Sequence, residues 1–248
     1  MLMTRLHTVT WGSDQFRFGP WHGDESIAYV AVAPRVASPT SGGVQHLVEK
    51  LRASGFRSVM TSALRDHEAA AFRAAGFDER ERLVVLSHDL RSLPDPGPFR
   101  TRRARRCDRE DVLELDRLAF EPAWQLDDVG LSEAIGATMS TRFRVTDAPR
   151  RRGAPESSTA PPIIGYVVVG RSGRTGYLQR LAVHPDHEGG GLGATLVHDA
   201  LGWLRRRDAT LAMVNTQRSN HRALALYRRL GFRTEPTELT VLTHELEP

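Results

Sequence analysis

The stretch Leu181-Ala-Val-His-Pro-Asp-His-Glu-Gly-Gly-Gly-Leu-Gly-Ala194 decides the reading of this chain. It leaves an apolar, strand-like segment (Gly176 to Val183), crosses three consecutive glycines and enters a helix-like segment from Ala194 to Arg206. Glycine takes positive φ without steric cost and lets a ligand approach the backbone closely. The N–H groups of such a turn converge with those of the first helical turn, where the helix dipole adds positive potential. A pyrophosphate fits that geometry; on the glycines alone, an ordinary glycine-rich strand-to-helix turn fits equally well. Two phosphate-binding patterns fail on spacing. No lysine follows the glycines as a P-loop requires, and Gly189-Gly-Gly-Leu-Gly193 does not match G-x-G-x-x-G.

Outward from the loop the pattern alternates in type. Upstream, the sequence predicts a strand over Phe99 to Arg103 and a helix over Arg109 to Phe120. Asp108 would cap that helix, and Val112, Leu115 and Leu118 share one face. A second helix is expected from Val129 to Met139, then strands at Thr141 to Thr146, Ile163 to Gly170 and Gly176 to Val183. Downstream come a strand (Thr210 to Asn215), a helix (His221 to Leu230) and a final β-rich run (Glu238 to His244). This order predicts an α/β fold, a sheet sandwiched by helices. Leu93-Pro-Asp-Pro-Gly-Pro98 cannot continue a helix or central strand, so it is the expected linker between domains 1–92 and 99–248. Asp147 to Pro162, also Pro-rich, reads as a long mobile loop within the second domain.

The segment Leu181 to Gly193 resembles the acetyl-CoA signature of the GNAT N-acetyltransferase superfamily, (Q/R)-x-x-G-x-(G/A). At the expected distance stand Asn215-Thr-Gln-Arg-Ser-Asn220 and Ala223-Leu-Ala-Leu-Tyr-Arg-Arg-Leu-Gly-Phe232, similar to the family's asparagine followed by A-x-x-x-Y-x-x-x-G-F. The resemblance covers Phe99 to Leu246. It implies a mixed, mostly antiparallel sheet flanked by helices, acetyl-CoA as acetyl donor, and no metal. It also implies that Leu181, Ala182 and Val183 line the pantetheine arm, with Glu188, Gly189, Gly190, Gly191, Leu192, Gly193 and Ala194 at the pyrophosphate. Asn220 would hydrogen-bond the pantetheine or cap the following helix. Glu188 departs from the family's Gln/Arg. A carboxylate beside a pyrophosphate is unfavourable, and Arg180, Arg205 and Arg206 are candidates to offset it.

Acetyl transfer to an amine needs a neutral amine, a polarised thioester carbonyl, a proton acceptor and a donor to the leaving thiolate. By the resemblance, Tyr227 is the general acid near the sulfur. The base is not evident: Tyr177 stands where the family often has an acid, and Tyr177-Leu-Gln-Arg-Leu-Ala-Val183 carries no carboxylate. Glu121, Trp124 and Asp127, in Phe120-Glu-Pro-Ala-Trp-Gln-Leu-Asp-Asp128, are together with Tyr177 the candidate acceptor-site residues. This stretch resembles the F-x-P-x-W segment of ribosomal-protein N-terminal acetyltransferases. The expected acceptor is a small-molecule or peptidyl amine; the alternative function is a non-catalytic acyl-CoA-binding regulator.

The first half repeats the second in faded form. Phe72-Arg-Ala-Ala-Gly-Phe77 matches Tyr227-Arg-Arg-Leu-Gly-Phe232, and Leu83-Val-Val-Leu-Ser-His-Asp-Leu90 matches Leu239-Thr-Val-Leu-Thr-His-Glu-Leu246. Tyr29 to Pro34 corresponds to the strand ending at Val183. A helix (Val44 to Ala53) and a strand (Phe56 to Ser62) follow in the same order. Phe72 replaces Tyr227, and the turn Arg35 to Gly43 keeps two glycines and gains a proline. The first 92 residues are therefore expected to be a truncated, non-catalytic copy of the fold.

Composition narrows the rest. The 248 residues carry a formal net charge of +4, nearly all of the positive charge being arginine, with Lys50 the sole lysine. Arg100 to Arg106 and Arg150 to Arg152 are basic, but no aromatic stacking pattern or nucleic-acid motif accompanies them. The longest apolar stretch, Ile163 to Val169, is far short of the ~20 residues a membrane helix needs. The single Cys107 excludes an internal disulfide framework and, with no signal core at the N-terminus, points to the cytoplasm.

Overall fold

The computed structural model describes residues 6–21, 24–33, 38–149 and 162–246. Most of the expected loop at 147–162 and part of the turn at 35–43 lie outside these residues. In chain order the elements are β1 (His7–Trp11), β2 (Asp14–Trp21), β3 (Asp24–Val32), α1 (Ser41–Ala53), β4 (Ser58–Thr61), α2 (Asp66–Ala74) and β5 (Asp78–His88). They continue with β6 (Arg102–Arg103), α3 (Arg109–Ala119), α4 (Asp128–Gly136), β7 (Ser140–Asp147), β8 (Ile163–Ser172) and β9 (Thr175–Val183). The last are α5 (Leu192–Arg205), β10 (Leu211–Gln217), α6 (His221–Arg229) and β11 (Arg233–Glu245). The run β3-α1-β4-α2-β5 recurs as β9-α5-β10-α6-β11, the duplication read from the sequence. The second copy carries α3 and α4, for which the first has no counterpart among the described residues.

Backbone contacts divide the chain into two compact units that do not follow the sequence boundary at 93–98. The first takes residues 1–85, 216–221 and 235–248; the second takes 86–215 and 222–234. In the first unit the strand order is β1-β2-β3-β4-β11-β5. β3 and β4 pair in parallel, Ile27↔Ser58 to Val30↔Thr61; β1–β2, β2–β3 and β4–β11 are antiparallel. Alternation in Asp14-Gln-Phe-Arg-Phe18 buries Phe16 and Phe18 and turns Gln15 and Arg17 outward. Around Phe16 gather Val44, Leu47 and Leu51 from α1, Phe72 from α2, and Leu242 and Leu246 from the end of the chain.

The last strand of the second repeat thus serves the first unit. β11 pairs with β4, Thr243↔Met60 to Glu245↔Ser58. Its His244 donates from Nδ1 to the Gly76 carbonyl at 2.8 Å and stacks on Phe77. Within the second unit, the end of β5 does the same for the matching Gly231-Phe232 turn. His88 lies against Phe232 and against Gly231, whose φ is +90. His88 Nδ1 accepts from the Leu90 N–H at 3.0 Å, so Nε2 carries the proton and donates to the Leu230 carbonyl. Burial pushes the His88 pKa below its ordinary 6.5. The fold favours the neutral ring, so this contribution to stability is complete above about pH 6.5 and is lost as pH falls through the folded value. His88→Gln should flatten the fall in melting temperature as pH drops below about 6.5; an unchanged slope would remove His88 from this role.

In the second unit the order is β10-β9-β8-β7-β6. β8 is buried from Ile163 to Gly170 because helices cover both faces: α3 and α4 on one, α5 on the other. Val112, Leu115, Leu131, Val145, Tyr166, Val168 and Ala182 make the core on the α3 side. The antiparallel meander β7-β8-β9 and the parallel β9–β10 pair give the mixed, mostly antiparallel sheet that was expected.

Three local expectations change. The strand at 99–103 contracts to Arg102–Arg103. The second helix ends at Gly136, leaving Met139 94% exposed. Asp108 does not cap α3: its carboxylate takes two hydrogen bonds from Arg102 (2.6 and 2.9 Å) and one from the Arg105 N–H, an ion pair that outcompetes the helix end.

Candidate active site

The site begins where two parallel strands separate. β10 pairs with β9 only at Leu211↔Thr175, Ala212↔Gly176 and Met213↔Tyr177. Beyond Tyr177, β9 continues for six residues bonded to β8 on one edge, and no strand among the described residues pairs with the other. Unpaired N–H and C=O groups on that edge are a template for an extended ligand. The edge also contains a β-bulge. Val168 pairs with Arg180 and Val169 with Leu178, which leaves Gln179 as the extra residue.

The bulge re-aims the rest of the strand. Before it, Gly176 faces α5, so close to Leu204 that no side chain would fit. After it, Arg180 and Ala182 face α3, with Ala182 buried in the core beside Val112 and Leu115. Ala182 can therefore line the open edge only through its backbone. Val183 lies on the other side, against the first turn of α5.

Arg180 is held in a buried network. Its guanidinium donates to both oxygens of Asp116, which is fully buried, at 2.8 and 2.7 Å, and to the Trp124 carbonyl at 2.6 Å; it lies 3.5 Å over the Phe120 ring. The Tyr166 hydroxyl and the Leu126 N–H also donate to Asp116. Burial alone would lower the Arg180 pKa, but the hydrogen bonds and charge of Asp116 outweigh it and the net direction is upward. The network ties the α3–α4 connection to the strand just past the bulge. None of its long-range pairs was expected from sequence.

From Val183 the chain turns through His184, whose ring accepts from the Asp186 N–H at 3.2 Å, into the glycines. Gly189 and Gly191 have φ of +77 and +89, and Gly191 is the left-handed cap of α5. Thr195, in the first turn, returns its N–H and hydroxyl to the Gly191 carbonyl at 3.0 and 3.1 Å. The expected linker packs on this loop. Pro98 is against Gly191 and Phe99 against Gly190, Gly97 has no room for a side chain beside Thr195, and His198 bonds the Pro94 carbonyl at 2.6 Å. Glu188 pairs with Arg222 near the start of α6, and Arg180 is committed elsewhere. Gly193 lets α5 approach Leu226 of α6.

Tyr227 is 5% exposed on α6, its ring against Phe232. Burial pushes its phenol well above the usual tyrosine range, so it is protonated at neutral pH. Asn220 lies in the turn before α6, its N–H donating to Gln217 at 3.0 Å. Tyr177 is 38% exposed at the end of the β9–β10 pairing. Of the acceptor-site candidates, Glu121 is exposed and Trp124 half-buried. Asp127 caps α4, accepting from the Gly130 N–H at 2.7 Å.

The corresponding position of the first unit is built differently. β3 and β4 stay zipped through Val30↔Thr61 and the Ser62 N–H to Val30 carbonyl bond at 2.6 Å, so no edge as long as that of β9 opens among the described residues. The first turn of α1 is occupied from within. Thr40 caps it by accepting from the Gly43 N–H at 3.1 Å. The buried Asp14 carboxylate takes the Thr40 N–H at 3.0 Å and its hydroxyl, so close to Gly43 that a side chain there would collide with it. Phe72, in the place of Tyr227, is fully buried.

Comparison with known proteins follows the same division. Residues 109–232 match the acetyltransferase (GNAT) family. Mycothiol acetyltransferase from Streptomyces coelicolor is 39% identical over 70 residues, a match spanning 28% of this chain and only 23% of that protein. A tandem GNAT protein from the clavulanic acid biosynthesis pathway superposes with a TM-score of 0.64 at 17% identity, covering 95% of this chain and 79% of that one. A GCN5-related N-acetyltransferase from Kribbella flavida gives 0.63 at 16% identity, covering 98% and 91%. The fold is thus shared along nearly the whole length, and with the family profile spanning half of it, this chain belongs to the acetyltransferase (GNAT) family.

Proposed function

We propose that the second unit moves an acetyl group from acetyl-CoA to a primary amine by direct attack on the thioester. The observation that carries this reading is the open, bulged edge of β9 leading directly into the left-handed glycine loop. It joins a backbone template for the pantetheine to a cluster of N–H groups suited to the pyrophosphate. Leu181, Val183 and the Ala182 backbone would hold the pantetheine, and residues 188–194 the pyrophosphate. Bound there, acetyl-CoA supplies the acyl group as a thioester. A backbone N–H near the bulge polarises the carbonyl. The amine nitrogen bonds to the acetyl carbon as the C–S bond breaks, and Tyr227 returns a proton to the thiolate. The strand offers no carboxylate, so the amine loses its proton either through water or to an acid of the α3–α4 connection such as Glu121.

A CoA-release assay over a panel of amines, run beside acetyl-CoA binding, tests this. Release dependent on at least one amine is expected. Tight binding with no turnover on any amine would favour the non-catalytic regulator that the Glu188 departure also fits.

A further inference from the structure

Two charges at the glycine loop are individually misplaced. Glu188 puts a carboxylate immediately before glycines suited to phosphates. Arg222 is the second residue of α6, where the helix end already carries positive potential and a cation is disfavoured. The fold joins them: Arg222 Nη2 pairs with Glu188 Oε2. The Glu188 side chain is 30% exposed and that of Arg222 76%. An ion pair so open contributes little to stability, so the fold itself gives no reason for keeping both charges. A guanidinium carries five N–H donors and one carboxylate occupies at most two of them, which leaves donors for another anion. The pairing brings the Arg222 guanidinium to the loop.

We propose that Arg222 is a phosphate-binding residue of the acyl-CoA site and that Glu188 is the positioning residue that holds it at the loop. In place of the Gln or Arg of the family pattern at the Glu188 position, a guanidinium is supplied from α6, and the carboxylate steers it. Arginine suits this role because its planar fork meets phosphate oxygens in pairs. The inference rests on the reading of the loop as an acyl-CoA site.

Calorimetric titration of acetyl-CoA into the full chain, at low and at about 0.5 M salt, separates the possibilities. Arg222→Ala should weaken binding about tenfold at low salt, less at high salt, and with no change in melting temperature. The same loss should persist in the Glu188→Gln background. Glu188→Ala, which releases Arg222, should weaken binding although it removes a negative charge. Glu188→Gln, which still accepts a guanidinium hydrogen bond, should not. Unchanged affinity in Arg222→Ala overturns the proposal. So does a loss that vanishes in the Glu188→Gln background, because Arg222 would then only neutralise Glu188. Tighter binding by Glu188→Ala overturns the positioning role. A wild-type chain that does not bind acetyl-CoA overturns the proposed function itself and this inference with it.

Discussion

Tyr227→Phe should lower turnover about a hundredfold or more while the acetyl-CoA dissociation constant changes by less than about twofold, the signature of a lost general acid. The substitution removes one oxygen from a ring packed on Phe232 and keeps its shape, so the helix and its packing remain. The upward shift of the phenol by burial has a consequence for pH. Tyr227 remains protonated past the ordinary tyrosine value of about 10, so it cannot produce a fall in rate near neutrality. A variant with full turnover would remove Tyr227 from the chemistry. A variant with unchanged turnover per bound acetyl-CoA but much weaker binding would make it a binding residue. The first repeat already carries this substitution as Phe72, which is fully buried.

The second large effect is on stability. Asp116→Ala leaves the Arg180 guanidinium, 14% exposed, without its carboxylate, and removes the acceptor of the Tyr166 hydroxyl and the Leu126 N–H. Breaking a buried pair in this way costs roughly 3–5 kcal/mol, against about 0–1 kcal/mol for a surface pair. A drop in melting temperature of roughly 10 °C is expected for a unit of this size. Replacing both partners with apolar residues, Asp116→Leu with Arg180→Met, should recover much of the loss because no charge is left buried. A change in Asp116→Ala below about 1 kcal/mol would show that the network carries no such role.

What could be read from the sequence was whatever depends on neighbours along the chain. Gly189 and Gly191 announce a left-handed turn because few other residues tolerate it. The uninterrupted apolar run Ile163 to Val169 announces a strand covered on both faces, and α3 ends one residue from its expected limit. What could not be read depends on partners far away in sequence. The bulge at Gln179 exists only in the pairing with β8, and no residue type marks it. Arg180 looked available to offset Glu188, yet its partner Asp116 lies 64 positions away, and the residue that does pair with Glu188 is Arg222. The similarity of Leu83–Leu90 to Leu239–Leu246 was visible. That β11 completes the first unit was not, because the same apolar pattern suits either sheet. The β1–β2 hairpin does carry a local signal, the alternation in Asp14 to Phe18. Asp127 looked available to a substrate and is engaged as a helix cap.

On the proposed function, one half of the duplicated fold holds the acyl-CoA site while the other half has closed its own, with Asp14 against the first turn of α1. The direct test is the stoichiometry of acetyl-CoA binding by titration calorimetry, in the wild-type chain and in Gly191→Val. That substitution puts a β-branched side chain at φ +89, with Pro98 in contact. One acetyl-CoA per chain is expected, and its loss in Gly191→Val. Two sites per chain, or a single site that survives the substitution, would contradict it.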